Sequence, residues 1–176
     1  MILLILSCNE NNCDEKIRLY DSDTPAEIIR VCDGVKEYTS YYINGQIKAQ
    51  FRNGLTHSFD SIGNLLSISE SVNDTLHGLY REYFIDGKIK IESEIVRGLQ
   101  SGKYREYFHH GKLKVIADFD EGVQLNFTEY HWNGTILMKA KYKKGFPIEY
   151  LKFDSLGTMI ERFNAIDTTL NFKVGE

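Results

Sequence analysis

The sequence predicts an all-β fold: an elongated, twisted antiparallel sheet of about six tandem β-hairpins. The first supporting observation is that the chain repeats itself. Residues 78–90 read GLYREYFIDGKIK, and residues 102–114, which lie 24 positions later, read GKYREYFHHGKLK. The second is that apolar and polar residues alternate within each copy, which is the pattern of a half-buried strand. Self-similarity at this period is typical of arrays of one supersecondary unit.

The repeat extends in both directions when its turn glycine is used as the reference. An aromatic residue stands four positions before each such glycine, and an apolar residue stands two positions after it. The glycines are Gly45, Gly63, Gly87, Gly111, Gly134 and Gly157. The aromatic residues are Tyr41, Phe59, Tyr83, Tyr107, Tyr130 and Phe153, and the apolar residues are Ile47, Leu65, Ile89, Leu113, Ile136 and Met159. Two strands around a short glycine turn form a hairpin, so each unit is predicted to be one hairpin.

The turn is predicted to be a three-residue loop, a type I turn followed by a left-handed glycine. A two-residue type I′ turn would also require positive φ at Ile62 and Leu156, which is costly for such side chains. The three-residue loop places the aromatic residue opposite the apolar residue two positions after the glycine. An aromatic residue seven positions before the glycine then falls on the other face, among lysine and glutamate side chains.

This second series of aromatic residues, here called the aromatic stripe, is the candidate partner-binding surface. Its members are Tyr38, Tyr80, Tyr104, Phe127 and Tyr150. Strands lie about 4.8 Å apart, so one aromatic residue per hairpin gives a spacing of about 10 Å. Such a row suits a partner protein, a glycan or an extended peptide. The alternative is that the sheet curls and the stripe forms a core.

The repeat resembles the MORN-repeat variant of bacterial proteins, approximately GxYxEY(Y/F)xxGK(L/I)K. Residues 78–90 and 102–114 match best, residues 126–138 and 150–160 match in part, and the resemblance covers about residues 34–165. The plain MORN pattern has a tryptophan and a run of closely spaced glycines at fixed repeat positions, and the repeat pattern of this chain departs from it in both. The resemblance implies antiparallel β arrays that are often exported, with one branch labelled as antitoxin components.

The N-terminal segment 1–8 reads MILLILSC and resembles a truncated bacterial lipoprotein signal that ends in Cys8, the expected lipidation site. Its apolar core is short and no lysine or arginine precedes it, unlike a complete signal. The alternative is a buried strand that ends in an ordinary cysteine. The expected location is the cell envelope, with a lipid anchor as the sole membrane contact and the protein facing the periplasm or the surface; the alternative location is the cytoplasm.

The expected organisation continues with a polar tether and entry strands at 9–33, repeats at 34–165 and a capping strand at 166–176. Cys13 and Cys32 either form a disulfide in an oxidising compartment or remain independent thiols. The segment 17–20 and the segment 28–32 are the predicted entry strands, separated by a loop at 21–25.

No catalytic, cofactor-binding or metal-binding motif is present in the sequence. The net charge of −4 argues against a nucleic-acid partner. His109 and His110 are adjacent and point to opposite faces of a strand, so they are assigned to a solvated turn. A glutamate recurs at one repeat position, as expected for a structural partner of nearby lysines; these are Glu82, Glu106 and Glu129.

Together these features predict a non-catalytic interaction module that binds a protein or glycan through one face of the repeats. The alternative, suggested by the label on relatives, is an antitoxin or immunity protein that neutralises a toxin. A toxin gene beside this one, or toxicity after its deletion, would distinguish the two functions.

Overall fold

The computed structural model describes residues 3–8, 13–21 and 23–165, and the predicted all-β hairpin array is confirmed. The described pairings are antiparallel, and the strands pair in chain order. The strands are β1 (Leu3–Cys8), β2 (Cys13–Leu19), β3 (Pro25–Cys32), β4 (Val35–Tyr41), β5 (Ile47–Arg52), β6 (Leu55–Phe59), β7 (Leu65–Val72), β8 (Thr75–Tyr83), β9 (Ile89–Val96), β10 (Leu99–Tyr107), β11 (Leu113–Asp120), β12 (Val123–Tyr130), β13 (Ile136–Lys143), β14 (Phe146–Phe153) and β15 (Met159–Asn164).

The chain divides into two compact units. Unit 1 comprises Met1–Leu76 with Glu82–Gly87, and unit 2 comprises His77–Arg81 with Lys88–Glu176. In a repeat array each repeat contacts only its neighbouring repeats, so the chain does not need one hydrophobic core shared by all of them. Within the part that the structure describes, no helix has the length and hydrophobicity to cross a membrane.

The predicted three-residue turn is present in all six hairpins. In the hairpin between β10 and β11, the backbone N–H of Gly111 donates to the carbonyl oxygen of Phe108 at 2.8 Å. The equivalent bond closes the other five turns. Gly111 has a φ of 88°, while His110 before it keeps a negative φ. The turn therefore needs a residue without Cβ at one position only.

A second set of turns, which the repeat pattern did not predict, joins one hairpin to the next. Each has two residues with positive φ, the geometry of a type I′ turn. Five of them place a charged residue in the left-handed region, and in three of these it has a long side chain: Arg97 (φ 53°), Glu121 (φ 46°) and Lys144 (φ 52°). The six turns are Asp33–Gly34, Asn53–Gly54, Asn73–Asp74, Arg97–Gly98, Glu121–Gly122 and Lys144–Gly145. With these turns the chain forms a continuous meander.

The predicted register holds beside the turns and changes one residue further along. Tyr107 pairs with Leu113 as predicted, but Glu106 pairs with Val115, so Lys114 is an extra residue in β11. An extra residue in one strand is a β-bulge, and it shifts all pairing beyond it by one position. The same shift occurs three residues after the turn glycine in four other hairpins, at Lys48, Leu66, Leu137 and Ile160.

The structure describes residues 3–8 near the N-terminal end of the chain, and at the other end its description stops at residue 165. Residues 3–8, the predicted lipoprotein signal, form β1 and pair with β2. Residues 13–16, expected in the polar tether, belong to β2, and the entry strands therefore begin earlier than predicted. The predicted capping strand at 166–176 lies outside the described residues.

Candidate interaction surface

Three members of the aromatic stripe, Tyr104, Phe127 and Tyr150, lie in one row of directly opposed residues in unit 2. Aromatic and small side chains alternate along this row from β9 to β14. The row runs Ser93, Tyr104, Ala117, Phe127, Ala140, Tyr150 and Phe163. Directly opposed residues share a face of the sheet. The row therefore presents evenly spaced rings with gaps between them.

The small residues of this row are among the most buried residues of unit 2. Ala117 is 3% exposed, Ser93 4% and Ala140 7%, while the rings of Tyr104 and Phe127 are half-buried. Each small residue lies between two strands that carry rings. The rings therefore cover the small residues, while one side of each ring remains accessible. The stripe is thus neither a closed core nor a fully exposed surface.

The register predicted for the stripe is wrong beyond the turn, and the bulge is the reason. Without the extra residue Lys114, Tyr104 would oppose Ile116, which is one of the alternate positions of β11 at which charged residues stand. With it, Tyr104 opposes Ala117. Charged groups occupy the adjacent row instead, where Lys114 Nζ donates to Glu106 Oε1 at 2.7 Å. This bond confirms the predicted lysine partner for one of the recurring glutamates.

Two rings of the stripe in unit 2 make direct aromatic contacts. Tyr104 meets Phe119 edge to face with ring centroids 6.4 Å apart. Tyr150 stacks on Phe163 at 5.4 Å, and its hydroxyl donates to Glu161. The hydrogen bond to the Glu161 carboxylate raises the pKa of Tyr150. These contacts fix the ring orientations.

Tyr38 is the member of the stripe that belongs to unit 1, and Tyr80 lies half-buried in β8. Tyr38 stands between Ile29 and Phe51 in its row. Its hydroxyl donates to Glu27 at 3.1 Å, and burial is the main cause that raises its pKa. The structure therefore distributes the five predicted residues over two units.

The opposite face of unit 2 carries cross-strand ion pairs. Glu92 accepts from Arg81 at 2.9 Å and from Arg105 at 3.3 Å. Lys103 pairs with Asp118, and this hydrogen bond lowers the pKa of the Asp118 carboxyl. Asp118 is therefore the partner of a lysine on the neighbouring strand.

Hydrogen bonds between successive three-residue turns are a second feature that the repeat pattern did not predict. The residue before the turn glycine donates to a backbone carbonyl of the next turn along the array. Asn44 Nδ2 donates to the Ser61 carbonyl at 2.8 Å, and Asn133 Nδ2 to that of Ser155 at 3.0 Å. His110 Nε2 lies 3.1 Å from the Trp132 carbonyl, which requires a protonated Nε2. The sequence feature that could have predicted these bonds is an amide or imidazole side chain directly before the turn glycine.

The cysteine pair predicted as one of two alternatives is bonded. Cys13 and Cys32 are directly opposed in β2 and β3, with Cα atoms 4.2 Å apart, and form a disulfide. Cys8 is the backbone partner of Cys13 in β1.

Neither a metal-binding cluster among the described residues nor a matching protein indicates a role for this surface. Among the residues that the structure describes, no three histidine, cysteine, aspartate or glutamate side chains are grouped so as to hold a metal ion. No protein-family model matches the chain, and no curated protein matches it in sequence.

Proposed function

We propose that the protein is a non-catalytic interaction module that binds a protein or glycan partner through the aromatic stripe. The observation that supports this most is the row in which Tyr104, Phe127 and Tyr150 alternate with buried small residues. Half-buried rings supply apolar contact area, and tyrosine adds a hydroxyl for hydrogen bonding. Residues of this type dominate binding energy at interfaces.

The rings are also pre-positioned, which favours binding. Tyr150 is held by stacking on Phe163 and by its bond to Glu161, and Tyr104 by its contact with Phe119. Ordering a free side chain during association costs roughly 0.5–1.5 kcal/mol. A partner would avoid most of this cost at rings that are already fixed.

The test compares two tyrosines of the same strand that lie on opposite faces. Tyr104→Ala removes a ring of the stripe, and Tyr107→Ala removes a ring from the other face as a matched control. Each variant is used as bait for partners in an envelope extract, and the recovered partner is then purified and titrated. We expect Tyr104→Ala to weaken binding by at least tenfold and Tyr107→Ala by less than twofold. Equal effects would contradict the stripe as the binding face.

Melting curves of both variants precede the binding test. The rings are half-buried, so we expect Tyr104→Ala to lose clearly less than the roughly 3–5 kcal/mol typical of fully buried aromatic truncations. Tyr104→Phe, which copies the residue type of Phe127 in the next repeat, should restore the stability. A loss in the full range for Tyr104→Ala would show that the ring is core and would end the proposal.

The second part of the proposal is attachment to the cell envelope through a lipid on Cys8. It is supported by the apolar segment that precedes Cys8 and the polar residues that follow it. Expressing the protein in a bacterium fed with a labelled fatty acid tests it. Label should be incorporated into the native protein and the Cys13→Ala variant and be absent from Cys8→Ala. Label that persists in Cys8→Ala would exclude this anchor site.

A further inference from the structure

Unit 1 contains a row of small residues where the later repeats carry large ones. Four directly opposed positions on β4 to β7 are occupied by Ser40, Ala49, Ser58 and Ser67. The same repeat positions in the third to fifth hairpins carry glutamate or a large apolar residue, among them Ile91, Glu106, Val115, Glu129 and Met138. The first two hairpins therefore have less side-chain volume at these positions than the later ones, and this row of small residues is here called the trough.

A cavity of about 500 Å³ lies at the end of this trough nearest β2 and β3. Ser40 and Ala49 line it together with the rings of Tyr20 and Tyr38. Both rings are held by their hydroxyls: that of Tyr20 donates to the Tyr41 carbonyl at 2.7 Å, and that of Tyr38 donates to Glu27 at 3.1 Å. The cavity therefore has two fixed aromatic walls and small lining residues between them.

The polar groups around this cavity are largely neutralised by one another. Arg18 and Glu27 both line it and form an ion pair at 3.1 Å. The third charged residue, Lys48, has its ammonium group 5.8 Å from the ring centroid of Tyr42. The paired carboxylate and guanidinium can still accept and donate further hydrogen bonds, because each has several donor or acceptor sites.

We propose that this cavity is a binding site for a neutral saccharide. A sugar ring has apolar C–H faces that pack on tyrosine rings and hydroxyl groups that exchange hydrogen bonds with Arg18, Glu27 and Ser40. A mostly apolar cavity of several hundred Å³ with a few convergent polar groups is the usual form of a small-ligand site. A strongly charged ligand is disfavoured because the main charges are already paired. The inference rests on the proposed interaction function and specifies its ligand class at Tyr38.

The repeat itself supplies variants that test the site without disturbing the fold. Ala49→Met places in the cavity the residue type of Met138, which stands at the same repeat position. Ser67→Ile is the matched control: it copies Ile91, adds bulk in the same row and lies outside the residues that line the cavity. Melting curves of both variants establish that each is folded.

The probes are four neutral oligosaccharides (cellotetraose, chitotetraose, maltotetraose and mannotetraose), titrated by calorimetry into the full chain. We expect at least one to bind the native protein, Ala49→Met to weaken it at least tenfold, and Ser67→Ile to change it less than twofold. The inference is overturned if none of the four binds the native protein, or if both variants bind as it does.

The outcomes also distinguish this inference from the proposed function. A partner that depends on Tyr104, combined with no saccharide binding, would overturn the saccharide site alone. Saccharide binding that Ala49→Met abolishes, combined with equal effects of Tyr104→Ala and Tyr107→Ala on partner binding, would overturn the stripe in unit 2 alone.

Discussion

Asp60 and Asp154 occupy the same position in two hairpins, three residues before the turn glycine. The Asp60 carboxylate accepts from the backbone N–H of Ile62 at 3.0 Å and of Asn64 at 2.9 Å. Asp154 makes the equivalent bonds at 2.9 and 2.8 Å. Such bonds favour the ionised carboxylate, so the pKa of each aspartate lies below its ordinary value of 3.8. The largest cause is the side-chain bond from Asn64 for Asp60 and the backbone bond from Thr158 for Asp154.

These pKa shifts predict a loss of stability in acid. A carboxyl group whose folded-state pKa is lowered contributes stability above its unfolded-state pKa and loses it as the pH falls through the folded-state pKa. We expect the double variant Asp60→Asn/Asp154→Asn to be less stable than the native protein at pH 7. The difference in urea midpoint should shrink as the pH falls below about 4. A difference that stays constant from pH 7 to pH 2.5 would contradict the role of the charge.

At the scale of elements, the turns determine how closely neighbouring strands approach. In the turn between β5 and β6, the carbonyl of Gly54 accepts from the backbone N–H of Ser71 at 2.7 Å. A Cβ on Gly54 would lie 2.8 Å from the Ser71 carbonyl oxygen, whereas a Cβ on Gly34 would meet nothing within 4 Å. The φ angles of the two glycines are 78° and 79°, so the backbone strain of a substitution is the same at both.

This pair predicts a difference between two otherwise equivalent substitutions. We expect Gly34→Ala to destabilise the protein by roughly 1–2 kcal/mol, the cost of a left-handed residue with a Cβ. Gly54→Ala should cost roughly a further 1–3 kcal/mol, because the methyl group overpacks against a backbone atom of β7. Urea unfolding of both variants measures the difference. Equal losses would show that β7 can move away without cost.

At the scale of the whole molecule, stability in a repeat array depends on contacts between neighbouring units. The disulfide Cys13–Cys32 closes a segment with a sequence separation of 19 residues in unit 1. Crosslinks of this loop length stabilise by about 3 kcal/mol, mainly by restricting the unfolded chain. In an array, this stabilisation should remain near the crosslink.

The prediction is that Cys13→Ala/Cys32→Ala loosens unit 1 and leaves unit 2 unchanged. Hydrogen exchange followed by mass spectrometry should show faster exchange in β2 to β4 and native rates in β11 to β13. A reductant should reproduce the effect in the native protein and do nothing further to the double variant. Faster exchange in β11 to β13 would contradict a local effect.

The sequence by itself determined the repeated hairpin and its turn. Glycine at a fixed period, with an aromatic residue before it and an apolar residue after it, was sufficient because these are local requirements of φ and side-chain alternation. Pairs such as Tyr107 with Leu113 therefore lie where the pattern placed them. The sequence also identified the members of the aromatic stripe, but it did not show which residues lie opposite them on the neighbouring strands.

Three features were decided by the tertiary structure alone. They are the register beyond each bulge, the residues that share a face of the sheet as a result, and the division into two units. One extra residue, Lys114, moved Tyr104 from Ile116 to Ala117. A β-bulge is defined by two paired strands, and the apolar–polar alternation of Leu113, Lys114 and Val115 did not reveal it. The trough at Ser40 and Ala49 depends in the same way on which residues become neighbours across strands, since cross-strand pairing brings together small residues that are distant in the chain.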